Sequence, residues 1–253
     1  MGDESPWKCL KRESESSHVF LLGDSHMMGY VPSIKKSLLE FNFNTLYWGG
    51  IKHIRDIFSA DCSLENCLGD INELESILDN NFRQGDIIIY SLSRNRLYSN
   101  PNLNNKNNFF NGYSRRGTEN IEGIELLRNA IQKLVDYAQV RKGKFILIDG
   151  PPIVCNKSEW IRSTSIFNSS ECLVSSKISL DDRRPLTDLF LSLVEKNNNL
   201  YYIDPHKILC PMKDCTISLN DKPLYSDNSP HLSWESRYIL KDFITKEFER
   251  ILN

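Results

Sequence analysis

Two short stretches carry residue types that together could run a nucleophilic reaction. Gly23-Asp24-Ser25-His26 closes an apolar run and opens a helical pattern. A serine at such a turn stands at a helix N-terminus. The backbone N–H groups and positive dipole end there favour a developing anion. Late in the chain comes Tyr225-Ser226-Asp227-Asn228-Ser229-Pro230-His231-Leu232-Ser233. A serine nucleophile needs a base, and the base needs an orienting group. His231 offers the first and Asp227 the second. Plainer roles exist for each: Asp and Ser cap many strand–helix turns, and an isolated loop histidine is ordinarily a solvated surface residue. The chain order favours chemistry, with Ser at the end of the first strand and Asp and His together before the last helix.

Those positions depend on the elements around them. Short apolar runs predict strands over 18–23, 45–48, 86–92, 144–149 and 200–204. The unbroken run over 86–92 suggests burial on both faces, as in a parallel sheet. Helical spacing predicts helices over 29–41, over 70–82 with Asp70 as N-cap, over 121–138, over 183–197 and over 234–252. Residues 99–118 and 155–180 read as long loops. The alternation implies a three-layer α/β/α sandwich with a mostly parallel five-stranded sheet. Residues 1–17 form a polar leader or linker, and 18–253 a single catalytic domain. In such sheets ligands bind beyond the carboxyl ends of the strands, where Ser25 would stand.

Composition narrows the class. The chain has 253 residues, 40% hydrophobic and 25% charged, with a net charge of −2. That balance suits a globular domain and disfavours a non-specific nucleic-acid binder, which needs many cations on phosphate. No apolar run reaches the roughly 20 residues of a membrane span, and residues 1–17 have no signal-peptide core. Six of the seven cysteines form short-range couples: Cys62 with Cys67, Cys155 with Cys172, and Cys210 with Cys215. Packed free thiols and a zinc site are alternatives, but the polar surroundings and the lack of ligand spacing favour disulfides. Disulfides without an export signal suggest an excised part of a longer secreted or membrane-anchored protein.

The motifs carry a resemblance. Gly23-Asp24-Ser25-His26 is not the G-x-S-x-G elbow of α/β-hydrolases. Together with Asp227 and His231-Leu232-Ser233 it resembles the SGNH (GDSL-like) hydrolase superfamily. More narrowly, it resembles the C-terminal SGNH domain of acyltransferase-3 family polysaccharide O-acetyltransferases. Leu92-Ser93-Arg94-Asn95-Arg96-Leu97, Gly150-Pro151-Pro152 and Asp204-Pro205 followed by Cys210 and Cys215 extend the likeness over most of 18–253. The resemblance implies Ser25 as nucleophile, His231 as base and Asp227 as its partner. It implies an oxyanion hole from the Ser25 N–H, Gly49 or Gly50, and Asn95, with Arg96 as the alternative polar residue of the 92–97 block. Arg96 and Trp48 would border the substrate. Asp227 stands four residues before His231 where the family has three, so either the turn bulges or a backbone carbonyl orients the ring.

The resemblance further implies serine-dependent O-acetyl transfer to a carbohydrate or surface polysaccharide, outside the cytoplasm, beside a membrane acyltransferase domain. No cofactor and no metal is implied. A carbohydrate acetyl esterase with the same residues, acting on an acetylated glycan, is one alternative. An inactive glycan-binding module is another. Asp149 and Asp204 read as caps of strand-end turns, Asp24 as a brace of its turn, and His53 and His206 as surface or structural residues. Phe109, Phe110 and Tyr113, with Arg115 and Arg116, could stack on sugar or tuck onto the core.

Overall fold

The computed structural model describes residues 16–23, 26–41, 43–47, 78–92, 121–152, 174–215, 218–219, 222–226, 231–233 and 238–253. The elements run β1 (His18–Gly23), α1 (Met27–Leu39), β2 (Asn44–Tyr47), β3 (Ile87–Ser91), α2 (Ile121–Val140), β4 (Lys144–Ile148), β5 (Val174–Ser175), α3 (Ser176–Val194), β6 (Leu200–Ile203), α4 (His206–Leu209), β7 (Asp214–Cys215), β8 (Ser218–Leu219), β9 (Lys222–Pro223) and α5 (Lys241–Leu252).

Five strands make one sheet in the order β2-β1-β3-β4-β6, and every neighbouring pair is parallel. The expected fold class is therefore the observed one. Alternate side chains along each strand face opposite ways. Val19, Leu21, Ile87, Ile89, Ile146, Ile148 and Ile203 pack against α1 and α5. Phe20, Leu22, Ile88, Tyr90, Phe145, Leu147 and Leu200 pack against α2 and α3. Both faces are covered, which is why the strands read as continuous apolar runs rather than alternating ones. Among the described residues, no helix is long and apolar enough to cross a membrane.

Three helix starts differ from expectation, among them that of α5, which begins at Lys241 rather than 234, with 238–240 described and outside it. Helix α1 starts at Met27 rather than 29. Helix α3 starts at Ser176, well before 183, and takes up the end of the expected loop. Ser175 caps it, its side chain accepting from the Ile178 N–H at 3.2 Å. The polar run through Arg184 and the internal Pro185 hides this helix in the sequence. It persists because Leu186, Leu189, Phe190 and Leu193 bury one face. Helix α4 is too short to leave a periodic signal. Of the helix expected over 70–82, only 78–81 lie among the described residues, and they are helical. Loop 99–118 and residues 1–15 of the leader lie outside them.

The sheet's carboxyl edge is level. Gly23 pairs with Ser91, Ser91 with Ile148, and Ile148 with Ile203. Gly23 has φ +151°, and a Cβ there would meet the Ser91 carbonyl oxygen at 2.1 Å. Only glycine fits this close approach. It brings the ends of β1 and β3 together.

Candidate active site

His231 is carried by a clamped hairpin at that edge. Tyr225 and Leu232 form an antiparallel bridge. The Ser226 N–H donates to the His231 carbonyl at 2.8 Å, and the Ser233 N–H to the Leu224 carbonyl at 2.8 Å. The Ser226 hydroxyl adds a bond to the same His231 carbonyl at 3.2 Å. One arm of the hairpin lies on the first turn of α1. A Cβ on Gly29 would meet the Leu232 Cβ at 3.0 Å, so the small residue allows the approach.

This docking sets His231 against His26. The two rings stack with centroids 4.4 Å apart and planes 24° apart. His26 is the N-cap residue of α1, is buried, and follows Ser25 directly. His231 is half-buried. In the sequence His26 stands within the first motif, but nothing local gives it a role. Its partner lies at the other end of the chain, so no local signal announces the contact.

Of the expected triad, His231 is among the described residues, while Ser25 and Asp227 lie outside them. Asp24, Trp48, Gly49, Gly50, His53, Asn95 and Arg96 also lie outside them. So do two of the three expected disulfide couples, Cys62 with Cys67 and Cys155 with Cys172. The third couple is present. Cys210 and Cys215 are joined by a disulfide, with Cα atoms 3.9 Å apart. His206 lies beside that bridge, its donor atom and the two sulfurs all within 4.8 Å of one another. The sulfurs are bonded to each other, so they are not the thiolates a metal would need. His206 is buried and structural, its Nε2 sharing a hydrogen bond with the Ser179 hydroxyl at 2.8 Å.

A buried polar network braces the same edge one strand further on. Asp149 follows β4 and is wholly buried. Its Oδ1 accepts from the Gly150 N–H at 2.8 Å. Its Oδ2 accepts from Arg183 Nη1 at 3.0 Å, Thr187 Oγ1 at 2.7 Å and Tyr202 Oη at 2.6 Å. Arg183 also grips Asp204 with both terminal nitrogens, at 2.5 and 3.1 Å. Asp204 in turn accepts from the His206 N–H at 3.0 Å, opening α4.

The expected capping roles of Asp149 and Asp204 thus hold, and Arg183 joins them from α3. Burial pushes the Asp149 carboxyl above its usual range, against the pull of Arg183, Tyr202 and Thr187. Burial beside Asp149 and Asp204 pushes the Tyr202 phenol up as well. The network reaches the site through Tyr30 of α1, whose hydroxyl donates to the Asp149 carbonyl at 3.0 Å.

Residues 2–246 match the family described as SGNH domain (fused to AT3 domains). No curated protein matches the chain in sequence. Among solved structures, the chain is similar to the lipopolysaccharide acetyltransferase periplasmic domain of Salmonella ser. Paratyphi A. The identity is 15% and the TM-score 0.58, over 95% of this chain and 86% of that one. It is similar to the protein YXIM of Bacillus subtilis at 15% identity and TM-score 0.51, over 94% of this chain and 58% of that one. A GDSL-like lipase (BT0569) of Bacteroides thetaiotaomicron aligns at 11% identity and TM-score 0.49, over 92% of this chain and 88% of that one. At these identities the likeness is one of fold.

Proposed function

The chain belongs to the family of SGNH domains fused to AT3 domains, and from that premise we propose that it transfers an acetyl group to a carbohydrate hydroxyl through an acyl-enzyme on Ser25. The family and its structural neighbours support acyl transfer or acyl hydrolysis by this fold. Within that chemistry, His231 takes the Ser25 proton as Oγ attacks the acetyl carbonyl. The tetrahedral oxyanion is held by the N–H of Ser25, an N–H at Gly49 or Gly50, and the Asn95 side chain. One such donor is typically worth about 3–4 kcal/mol of barrier. Collapse expels the donor oxygen, which leaves with the proton from His231. The acceptor hydroxyl then gives its proton to His231 and attacks the acyl carbonyl, and collapse expels Ser25 Oγ, which takes that proton back from His231. Asp227 orients the His231 ring, and Trp48 and Arg96 border the acceptor.

The observation that supports this reading best is the seat of His231. It lies on the first turn of α1, against the residue that follows Ser25. Transfer rather than hydrolysis draws on the Salmonella relative, named as a lipopolysaccharide acetyltransferase periplasmic domain. The same name favours work outside the cytoplasm, and the family's fusion favours a membrane AT3 domain as the source of the acetyl group.

The test is release of 4-nitrophenol from 4-nitrophenyl acetate by wild type, Ser25→Ala and His231→Ala. Turnover in wild type that is lost in both variants is expected. Equal turnover in all three, or none in wild type, overturns the reading. Adding an oligosaccharide acceptor separates the branches: an acetylated sugar marks a transferase, and acetate alone marks an esterase.

A further inference from the structure

We propose that His26 is a positioning residue for His231, the planar shelf on which the ring of the base lies. The proposal rests on the reading of His231 as the base, and it concerns a residue to which that reading assigns no step.

The backbone of His231 is fixed from two sides. Ser226 binds its carbonyl twice, through N–H and hydroxyl, and Leu232 seats on Gly29. These contacts fix where the side chain starts, not how the imidazole is turned. A base must bring one ring nitrogen within about 2.6–3.2 Å of the proton it takes, so its ring plane has to be set as well. An orienting carboxylate or carbonyl acts on the ring's edge through a nitrogen. A stacked neighbour acts on the face. The two constraints are complementary, and His26 supplies the second at 4.4 Å and 24°.

His26 is suited to that task. It stands at the N-cap of α1 with helical φ and ψ, and its carbonyl accepts from the Gly29 N–H at 3.1 Å. Its side chain makes no capping bond to the helix, so the usual duty of an N-cap side chain does not account for it. It is 7% exposed, so one ring face is committed to the protein. The residue before it is Ser25. The shelf, at the start of α1, is therefore the chain neighbour of the proposed nucleophile.

The experiment compares His26→Phe and His26→Leu with wild type and His231→Ala, using 4-nitrophenyl acetate and the full chain. Phenylalanine keeps a flat face, whereas leucine keeps apolar bulk without one. The expected result is a fall in kcat of roughly tenfold or more in His26→Leu, with KM unchanged, because misplacement of a catalytic group slows chemistry rather than binding. His26→Phe restores kcat to within about threefold of wild type if the ring face is what matters. The His231 ring protons provide a readout independent of turnover. Their ring-current shift should persist in His26→Phe and vanish in His26→Leu, and thermal midpoints establish that both variants fold. Wild-type kcat in His26→Leu, or equal losses in the two variants, overturns the proposal while leaving His231 as base. Undiminished turnover in His231→Ala overturns the base reading, and the proposal falls with it.

Discussion

Arg183 on α3 reaches Asp149 at the end of β4 across 3.0 Å, with side chains 5% and 1% exposed. Arg183 also holds Asp204 beyond β6, and the Asp149 carbonyl holds Tyr30 of α1. One cation on one side of the sheet thereby ties two strand ends to the helix that follows Ser25 on the other. Taking these charges out of water offsets much of their attraction, so the pair specifies geometry more than it adds net stability.

Breaking the pair from one side is a different matter. Arg183→Met leaves the Asp149 carboxylate buried with no cation. It should cost about 3–5 kcal/mol, read as a lower midpoint in urea with an unchanged slope. Asp149→Asn in that background should restore part of the loss, since the wholly buried charge is gone and only the partly exposed Asp204 carboxylate is left without Arg183. A cost below about 1 kcal/mol, the range of exposed pairs, would mean that water reaches Arg183.

Asp149 also sets a pH dependence. Burial raises its carboxyl above the ordinary 3.8 more strongly than Arg183, Tyr202 and Thr187 lower it. Between 3.8 and the raised value the folded chain binds a proton that the unfolded chain has released. The contribution of Asp149 to stability is then fully present below the unfolded value and is lost as pH rises through the folded one. Wild-type stability minus that of Asp149→Asn should therefore fall across this window and level off above it. Urea denaturation over a pH series measures the difference. A difference that rises with pH would show that pairing with Arg183 outweighs burial.

How much of this is legible in the sequence depends on the range of the contact. The strands announce themselves because burial on both faces demands unbroken apolar runs, and Gly23, Gly150 and Pro205 mark their ends. Arg183 leaves no such signal. It lies on the buried face with Ser179, Leu186 and Phe190 of α3, but the polar run hides that stretch of helix, and its partners Asp149 and Asp204 follow two different strands. His26 and His231 are both visible, yet only the fold brings them to 4.4 Å. The Tyr225–Leu232 bridge leaves no signal because a single pair has no periodicity.

The Cys210–Cys215 bridge has a role beyond the loop it closes. Cys215 in β7 pairs with Val174 in β5, and the Ser176 N–H donates to the Lys213 carbonyl at 2.8 Å. The bridge therefore steadies the start of the helix that carries Arg183. With a sequence separation of 5, the chain-entropy model gives about 2 kcal/mol. The double variant Cys210→Ala with Cys215→Ala should lose roughly that amount, and a non-reducing peptide map of wild type should recover the two cysteines joined. Free thiols at both positions in the oxidised protein would contradict the pairing.

Gly29 separates stability from activity. Alanine in place of a helical glycine ordinarily adds up to about 1 kcal/mol. Here the new Cβ would sit 3.0 Å from the Leu232 Cβ and 3.2 Å from its Cδ1, and overpacking of that kind costs about 1–3 kcal/mol. The two effects nearly cancel or leave a modest net loss, so Gly29→Ala should fold with a thermal midpoint only a few degrees lower. Activity should suffer more. Leu232 yields by moving its arm of the hairpin, and His231 is the next residue on that arm. A displacement of a few tenths of an ångström there lengthens the reach of the base, so kcat should drop by roughly tenfold or more. Wild-type kcat in a stably folded Gly29→Ala would mean that the hairpin does not set the position of His231.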